Sequence, residues 1–202
     1  VFSYISLKPK IISVGTVSYA VPGEIAVVTG GSDDVNYIIT IDAESGQILE
    51  QSNQKEGVGT WIRSMVYDWF DTNTNATPYY VSDRGSFNGF DLQKGFDTTT
   101  LIDEIPDWFF APTMSSNGQG KILIEVQDAE ISASNFGVAV LDTSNDTFSD
   151  VLELDESPTG MVWTGDSWWV ITSTDPCYMY EVDEDANLLN SIDFDTDYGV
   201  AY

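Results

Sequence analysis

The sequence predicts an all-β chain: a β-propeller or a segment of one, with about four blades of four antiparallel strands and extra strands at both ends. Three observations lead there. A strand-like run closing on an apolar residue and an aspartate recurs at Asp42, Asp91, Asp142 and Asp183, at intervals of 49, 51 and 41 residues. Such a period, with several short strands in each repeat, belongs to propeller blades. Runs of β-branched and aromatic residues are dense and are punctuated by Gly, Asn, Asp, Ser and Pro, while helical periodicity is nearly absent.

Each element follows from alignment on the four aspartates. In the first repeat, IISVGTVSYA, EIAVVTG, YIITID and QILEQS fill the four strand places. In the second the places fall to WIRSMVYDWF, PYYVSD, FNGFD and TLIDEI, and in the third to FFAPTMSS, KILIEVQ, GVAVLD and DVLELD. In the fourth they fall to MVWTGD, SWWVIT, YMYEVD and LLNSIDF. The expected organisation is a single propeller-like domain over 1–202 with blades at 11–52, 58–105, 108–155 and 158–195. Residues 1–7, VFSYISL, and 196–202, with TDYGVAY, read as orphan end strands. A closed four-bladed ring, a stretch of a larger propeller, and association of chains through unpaired end strands all fit this pattern. VFSYISL has no signal-peptide character, so the expectation is a removed leader or a longer chain.

Residues 158–195, PTGMVWTGDSWWVITSTDPCYMYEVDEDANLLNSIDFD, carry a resemblance. A small first strand, a Gly-Asp turn before a Trp-rich second strand, an aromatic third strand ending in Val-Asp and an apolar fourth strand follow one another. The segment resembles secreted β-propeller repeat proteins of the NHL, surface-layer YVTN and glutamine-cyclotransferase-like group. The resemblance covers one blade well and the others loosely. It implies architecture, and it transfers no catalytic residue, because the shared positions are turns and core.

Composition narrows the function classes. The chain holds 33 acidic and 7 basic residues, a net charge of −26. Phosphate backbones need clustered Lys and Arg, so nucleic acid is not an expected partner. No apolar run approaches the about 20 residues that span a bilayer, so membrane insertion is not expected. Self-repulsion at this charge is relieved by salt or by bound cations. A saline (halophilic or marine) or calcium-containing medium is one setting that fits; an ordinary acidic secreted protein is the other. Histidine is absent, which removes the commonest general base and imidazole ligand. Cys177 is the single cysteine and, with no cation nearby, reads as a buried strand-end thiol. Asn75 and Asn145 each begin an N-glycosylation triplet.

Candidate sites follow. Asp42, Asp91, Asp142 and Asp183 are expected to end strands and cap turns through their carboxylates. Asp183-x-Asp185-x-Asn187 begins like a calcium loop, but Leu188 and Phe194 stand where the glycine and the bidentate glutamate belong. Asp193, Asp195 and Asp197 alternate, which puts three carboxylates on one face of an extended segment. They form a solvated acidic edge or, with a cation between them, a calcium site. Asp33 and Asp34 are a lesser loop candidate. Trp61, Trp69, Trp108 and Phe109 are core aromatics or, where exposed, contacts for a ligand or partner such as a sugar ring. No nucleophile elbow or phosphate-binding loop is present.

The function expected is a secreted or cell-surface module that binds protein or glycan through inter-strand loops, chiefly 71–77 and 128–135, on a rigid scaffold. The alternatives are a metal-dependent propeller enzyme of lactonase-like or cyclotransferase-like type, and a structural subunit of an extracellular assembly.

Overall fold

The computed structural model describes residues 13–19, 24–30, 37–53, 62–68, 77–83, 90–129, 135–172 and 177–194. Two compact units divide the chain at Ile102/Asp103. Every strand pairing within each unit is antiparallel and, apart from one at the outer edge of unit 2, joins sequence neighbours. No helix among the described residues is long and apolar enough to cross a membrane.

In unit 1, β1 (Ser13–Tyr19), β2 (Glu24–Gly30), β3 (Tyr37–Asp42) and β4 (Ile48–Gln51) pair in that order. The β2–β3 register sets Glu24 opposite Asp42, Ala26 opposite Thr40 and Val28 opposite Ile38 on one face. Directly opposed residues share a face, and successive residues alternate between faces. Ile25, Val27, Ile39 and Ile41 therefore make the other face, which forms its own apolar cluster. The remaining strands of the unit are β5 (Ile62–Asp68), β6 (Thr77–Asp83), β7 (Phe90–Lys94) and β8 (Thr100–Leu101). Ile62, Met65, Tyr67 and Tyr80 pack on Ala26, Val28 and Ile38. The middles of β2 and β3 are thus buried on both faces, in keeping with their near-continuous apolar runs.

Unit 2 opens with β9 (Trp108–Ser116), β10 (Lys121–Asp128) and β11 (Phe136–Asp142). β10 is buried at five consecutive positions, Ile122 to Val126. The fourth place, read from sequence as DVLELD, is split: β12 (Thr147–Phe148) and β13 (Leu152–Leu154) both pair with β11. The second sheet of the unit is β14 (Pro158–Trp163), β15 (Trp168–Thr172), β16 (Tyr178–Val182) and β17 (Leu188–Asp193). Trp168, Val170, Tyr180 and Val182 pack against Leu123, Val138, Val140 and Leu154. Trp163 meets Trp168 edge-on at 4.6 Å between ring centroids, a geometry that suits the ring quadrupoles.

A bulge marks β9. Its register with β10 jumps from Met114 opposite Ile124 to Phe110 opposite Val126, so Ala111, Pro112 and Thr113 stand against Glu125 alone. Pro112 has no N–H to give the ladder. The Thr113 N–H, displaced from it, donates to the Glu125 carboxylate at 3.2 Å, and the Ser157 hydroxyl donates to the other oxygen at 2.9 Å. Glu125 is 4% exposed. Burial raises its pKa, against the lowering effect of those bonds.

Candidate functional site

Three of the four repeated aspartates do what their turns require. Asp42 accepts from the Ser45 N–H and hydroxyl, both at 2.6 Å. Asp142 accepts from the Ser144 N–H at 2.9 Å and its hydroxyl at 2.6 Å. These bonds hold both carboxyls below the usual carboxylate range. Asp183 accepts from the N–H groups of Asp185 and Asn187 at 2.9 and 2.8 Å. Burial works to raise the Asp183 pKa, but the Asn187 and Asp185 bonds outweigh it and the net shift is downward. Asp91 departs from the expectation. It lies inside β7, opposite Ser82, and the strand runs on to Lys94. The turn comes at Gly95, whose φ of 114° suits glycine and whose N–H donates to the Pro78 carbonyl at 2.9 Å.

The Asp142 and Asp183 turns flank a cleft in unit 2. Ser149, Asp150, Val151 and Leu152 form one wall, and Asp185, Ala186, Asn187 and Leu188 the other, around about 660 Å³. The first wall exists because Ser149 interrupts the outer strand. The Val140 N–H donates to the Ser149 hydroxyl at 3.0 Å, and that hydroxyl donates to the Asp150 carbonyl at 2.8 Å. The side chain takes a ladder position, and the chain steps outward between β12 and β13.

The second wall is fixed by its own turn and by a tether. Lys121 donates to the Glu184 carbonyl at 3.0 Å and to Asp185 Oδ1 at 2.9 Å. Asn117 donates to Glu184 Oε1 at 3.3 Å. The Asp185 bond, with the charges of Glu184 and Asp142, raises the Lys121 pKa against a partial loss of solvent. Lys121 offsets the charge of Asp185, which leaves Asp150 as the unopposed carboxylate among the lining residues of the cleft. Leu188 and Leu189 on β17 are 48% and 55% exposed. Carboxylates and main-chain carbonyls beside apolar side chains can accept hydrogen bonds from a cationic ligand and cover its aliphatic part.

Other predicted site residues are placed as follows. Trp108 and Phe109 are half-buried on β9, opposite Asp128 and Gln127. Asp193 closes β17, half-buried and opposite Tyr178. Trp61, Trp69, Asp195, Asp197, Asp33 and Asp34 lie outside the described residues, as do both expected end strands. So do most of the two loops singled out from the sequence, 71–77 and 128–135. The base of the second loop is closed by the Asp128 N–H donating to the Asn135 carbonyl at 3.1 Å. Among the described residues no three Cys, Asp or Glu side chains converge as metal ligands do. Cys177 is buried, and its thiol donates to the Thr172 carbonyl at 2.9 Å. The cleft escaped the sequence reading; its one local signal is a serine followed by a polar residue after a short outer strand, Ser52-Asn53 in one unit and Ser149-Asp150 in the other.

The fold is that of β-propeller proteins. The chain is similar to a Dos1 propeller, with a TM-score of 0.65 and 14% identity over 89% of this chain and 48% of that one. It is also similar to TolB from Acinetobacter baumannii, with a TM-score of 0.57 and 18% identity over 86% of this chain and 41% of that one. The propeller domain of the trilobed protease from Pyrococcus furiosus matches with a TM-score of 0.57 and 11% identity, over 89% and 54%. The chain therefore spans about half the length of these solved proteins. No protein-family model and no curated protein matches it.

Proposed function

We propose that this propeller chain is a binding module, and that the cleft between residues 149–152 and 185–188 takes an extended, basic segment of a partner protein. The acidic cleft itself carries this reading: two walls held by internal hydrogen bonds, with Asp150 and Asp185 beside the exposed Leu188. The net charge of −26 acts in the same direction, because a field of one sign steers an oppositely charged partner and speeds encounter. Loops 71–77 and 128–135 are further contact elements in this proposal, and an extracellular or cell-surface setting belongs to it.

Calorimetric titration with a short Lys- and Leu-containing peptide, at low and at physiological salt, tests the reading. Binding is expected to weaken with salt and to fall at least fivefold in Asp150→Asn combined with Leu188→Ser. Equal binding by this variant, or preference for a neutral oligosaccharide over the peptide, overturns it.

A further inference from the structure

The facing sheets of unit 1 enclose polar groups that no described residue satisfies. Glu24, Ala26, Thr40 and Asp42 share one face of β2–β3, and Glu50 joins them opposite Thr40 on β4. Tyr67, on β5, packs on the same face with Ala26, Val28 and Ile38. Thr40 and Tyr67 are each 5% exposed, and neither the Thr40 hydroxyl nor the Tyr67 hydroxyl has a hydrogen-bond partner. Burial, with the charges of Glu50 and Glu24, pushes the Tyr67 hydroxyl well above its ordinary pKa. The phenol therefore stays protonated and neutral.

Two orphan buried hydroxyls on one face call for an explanation, because an unmet buried polar group is costly and native structures keep few. The Asp42 carboxylate is already taken by Ser45. Glu24 and Glu50 remain, the first half-buried and the second exposed at the edge. No Lys or Arg stands at the registered positions of this face. The donor set is all oxygen: the Glu24 and Glu50 carboxylates on the same face as the buried Thr40 hydroxyl, with the Tyr67 side chain packed on that face. Hard cations take such sets, and calcium completes its six to eight ligands with water or main-chain carbonyls.

We propose that unit 1 binds one hard cation of the calcium class between Glu24, Glu50, Thr40 and Tyr67. The site is distinct from the acidic run at Asp193 and independent of the cleft in unit 2.

Thermal unfolding of the full chain in calcium chloride, against sodium chloride at matched ionic strength, is the test, with calorimetric titration of the same ion. The wild type is expected to gain stability in millimolar calcium and to bind with an affinity that drops tenfold or more in Glu24→Gln/Glu50→Gln and in Tyr67→Phe. Asp193→Asn is expected to keep the gain. Far-UV circular dichroism confirms that each variant is folded. No gain in the wild type overturns the proposal, as does a gain that survives in the Glu24/Glu50 and Tyr67 variants. A Tyr67→Phe protein stabilised equally in both salts also overturns it, since that marks a merely unsatisfied hydroxyl.

Discussion

The two units close an outer strand with the same serine device but set it at different points along the neighbouring strand. In unit 1 the Ile38 N–H donates to the Ser52 hydroxyl, the Ser52 N–H donates to the Ile38 carbonyl, and the hydroxyl donates to the next carbonyl, at 3.0, 2.9 and 2.8 Å. In unit 2 Ser149 repeats the arrangement on Val140 at 3.0, 2.9 and 2.8 Å. The difference lies in the strand each serine meets. Ile38 is the second residue of β3, and β4 ends at Gln51, just before the serine. Val140 is the fifth residue of β11, so Phe136, Gly137 and Val138 are left to pair with β13. A local motif sets the break; in unit 2 the length of β11 beyond Val140 lets the outer strand resume as β13, beside the cleft.

The largest expected effect comes from removing that resumption. A Cβ on Gly137 would meet Val151 Cγ1 at 2.7 Å and the Leu152 carbonyl oxygen at 2.8 Å. Gly137→Ala should push β13 off β11 and cost about 2–3 kcal/mol, as overpacking does. Urea unfolding checks the loss, and amide exchange of the Leu152–Leu154 strand should accelerate by tenfold or more. Unchanged exchange would mean that leftover edge length does not hold β13.

A smaller effect sharpens a second contrast. Among the described residues, unit 1 buries neutral polar groups such as the hydroxyls of Thr40, Ser52 and Tyr67 but no carboxylate, whereas unit 2 buries the carboxylate of Glu125. The Glu125 pKa is raised in the fold, so its stabilising contribution is full below the unfolded value of about 4.3. That contribution fades as pH rises through the folded value. Glu125→Gln loses one of two accepted bonds, about 1 kcal/mol, and it also loses this titration. The stability difference, wild type minus variant, should therefore be larger at pH 4 than at pH 7. Asp42, Asp142 and Asp183 titrate the other way, their contribution fading as pH falls through their lowered pKa values, but they are common to both proteins and cancel. A difference that grows towards pH 7 would refute the assignment.

The smallest effect concerns the tether. Lys121→Met removes the pair to Asp185, which is 76% exposed on the acidic side. Exposed pairs contribute about 0–1 kcal/mol, so thermal unfolding should barely move. Salt should shift peptide binding at the cleft more steeply in the variant, because Asp185 is then unopposed. An unchanged salt dependence would place the binding elsewhere.

Much of the fold was legible because alternation and turn chemistry are local. The third strands of three repeats end where an apolar residue meets Asp42, Asp142 and Asp183. Asp91 misled because the same apolar-Asp step sits inside a strand; Gly95, four residues on, was the true turn signal. DVLELD does hold a strand, β13, but Thr147–Phe148 before it was missed, because periodicity cannot register a serine side chain taking a ladder position on Val140. The cleft was not legible, since its walls depend on partners such as Lys121 and Asp185, 64 residues apart. Similarly, the orphan hydroxyls of Thr40 and Tyr67 become visible only once two sheets face each other.

The Asp183 turn has one further consequence. Its carboxylate already holds the main chain of Asp185 and Asn187, and Lys121 pins the Glu184 carbonyl just before them. That wall of the cleft is ordered before any ligand arrives. Immobilising a loop on association costs conformational entropy. Here that ordering is complete on folding, so a ligand meeting this wall retains more of its contact energy as affinity.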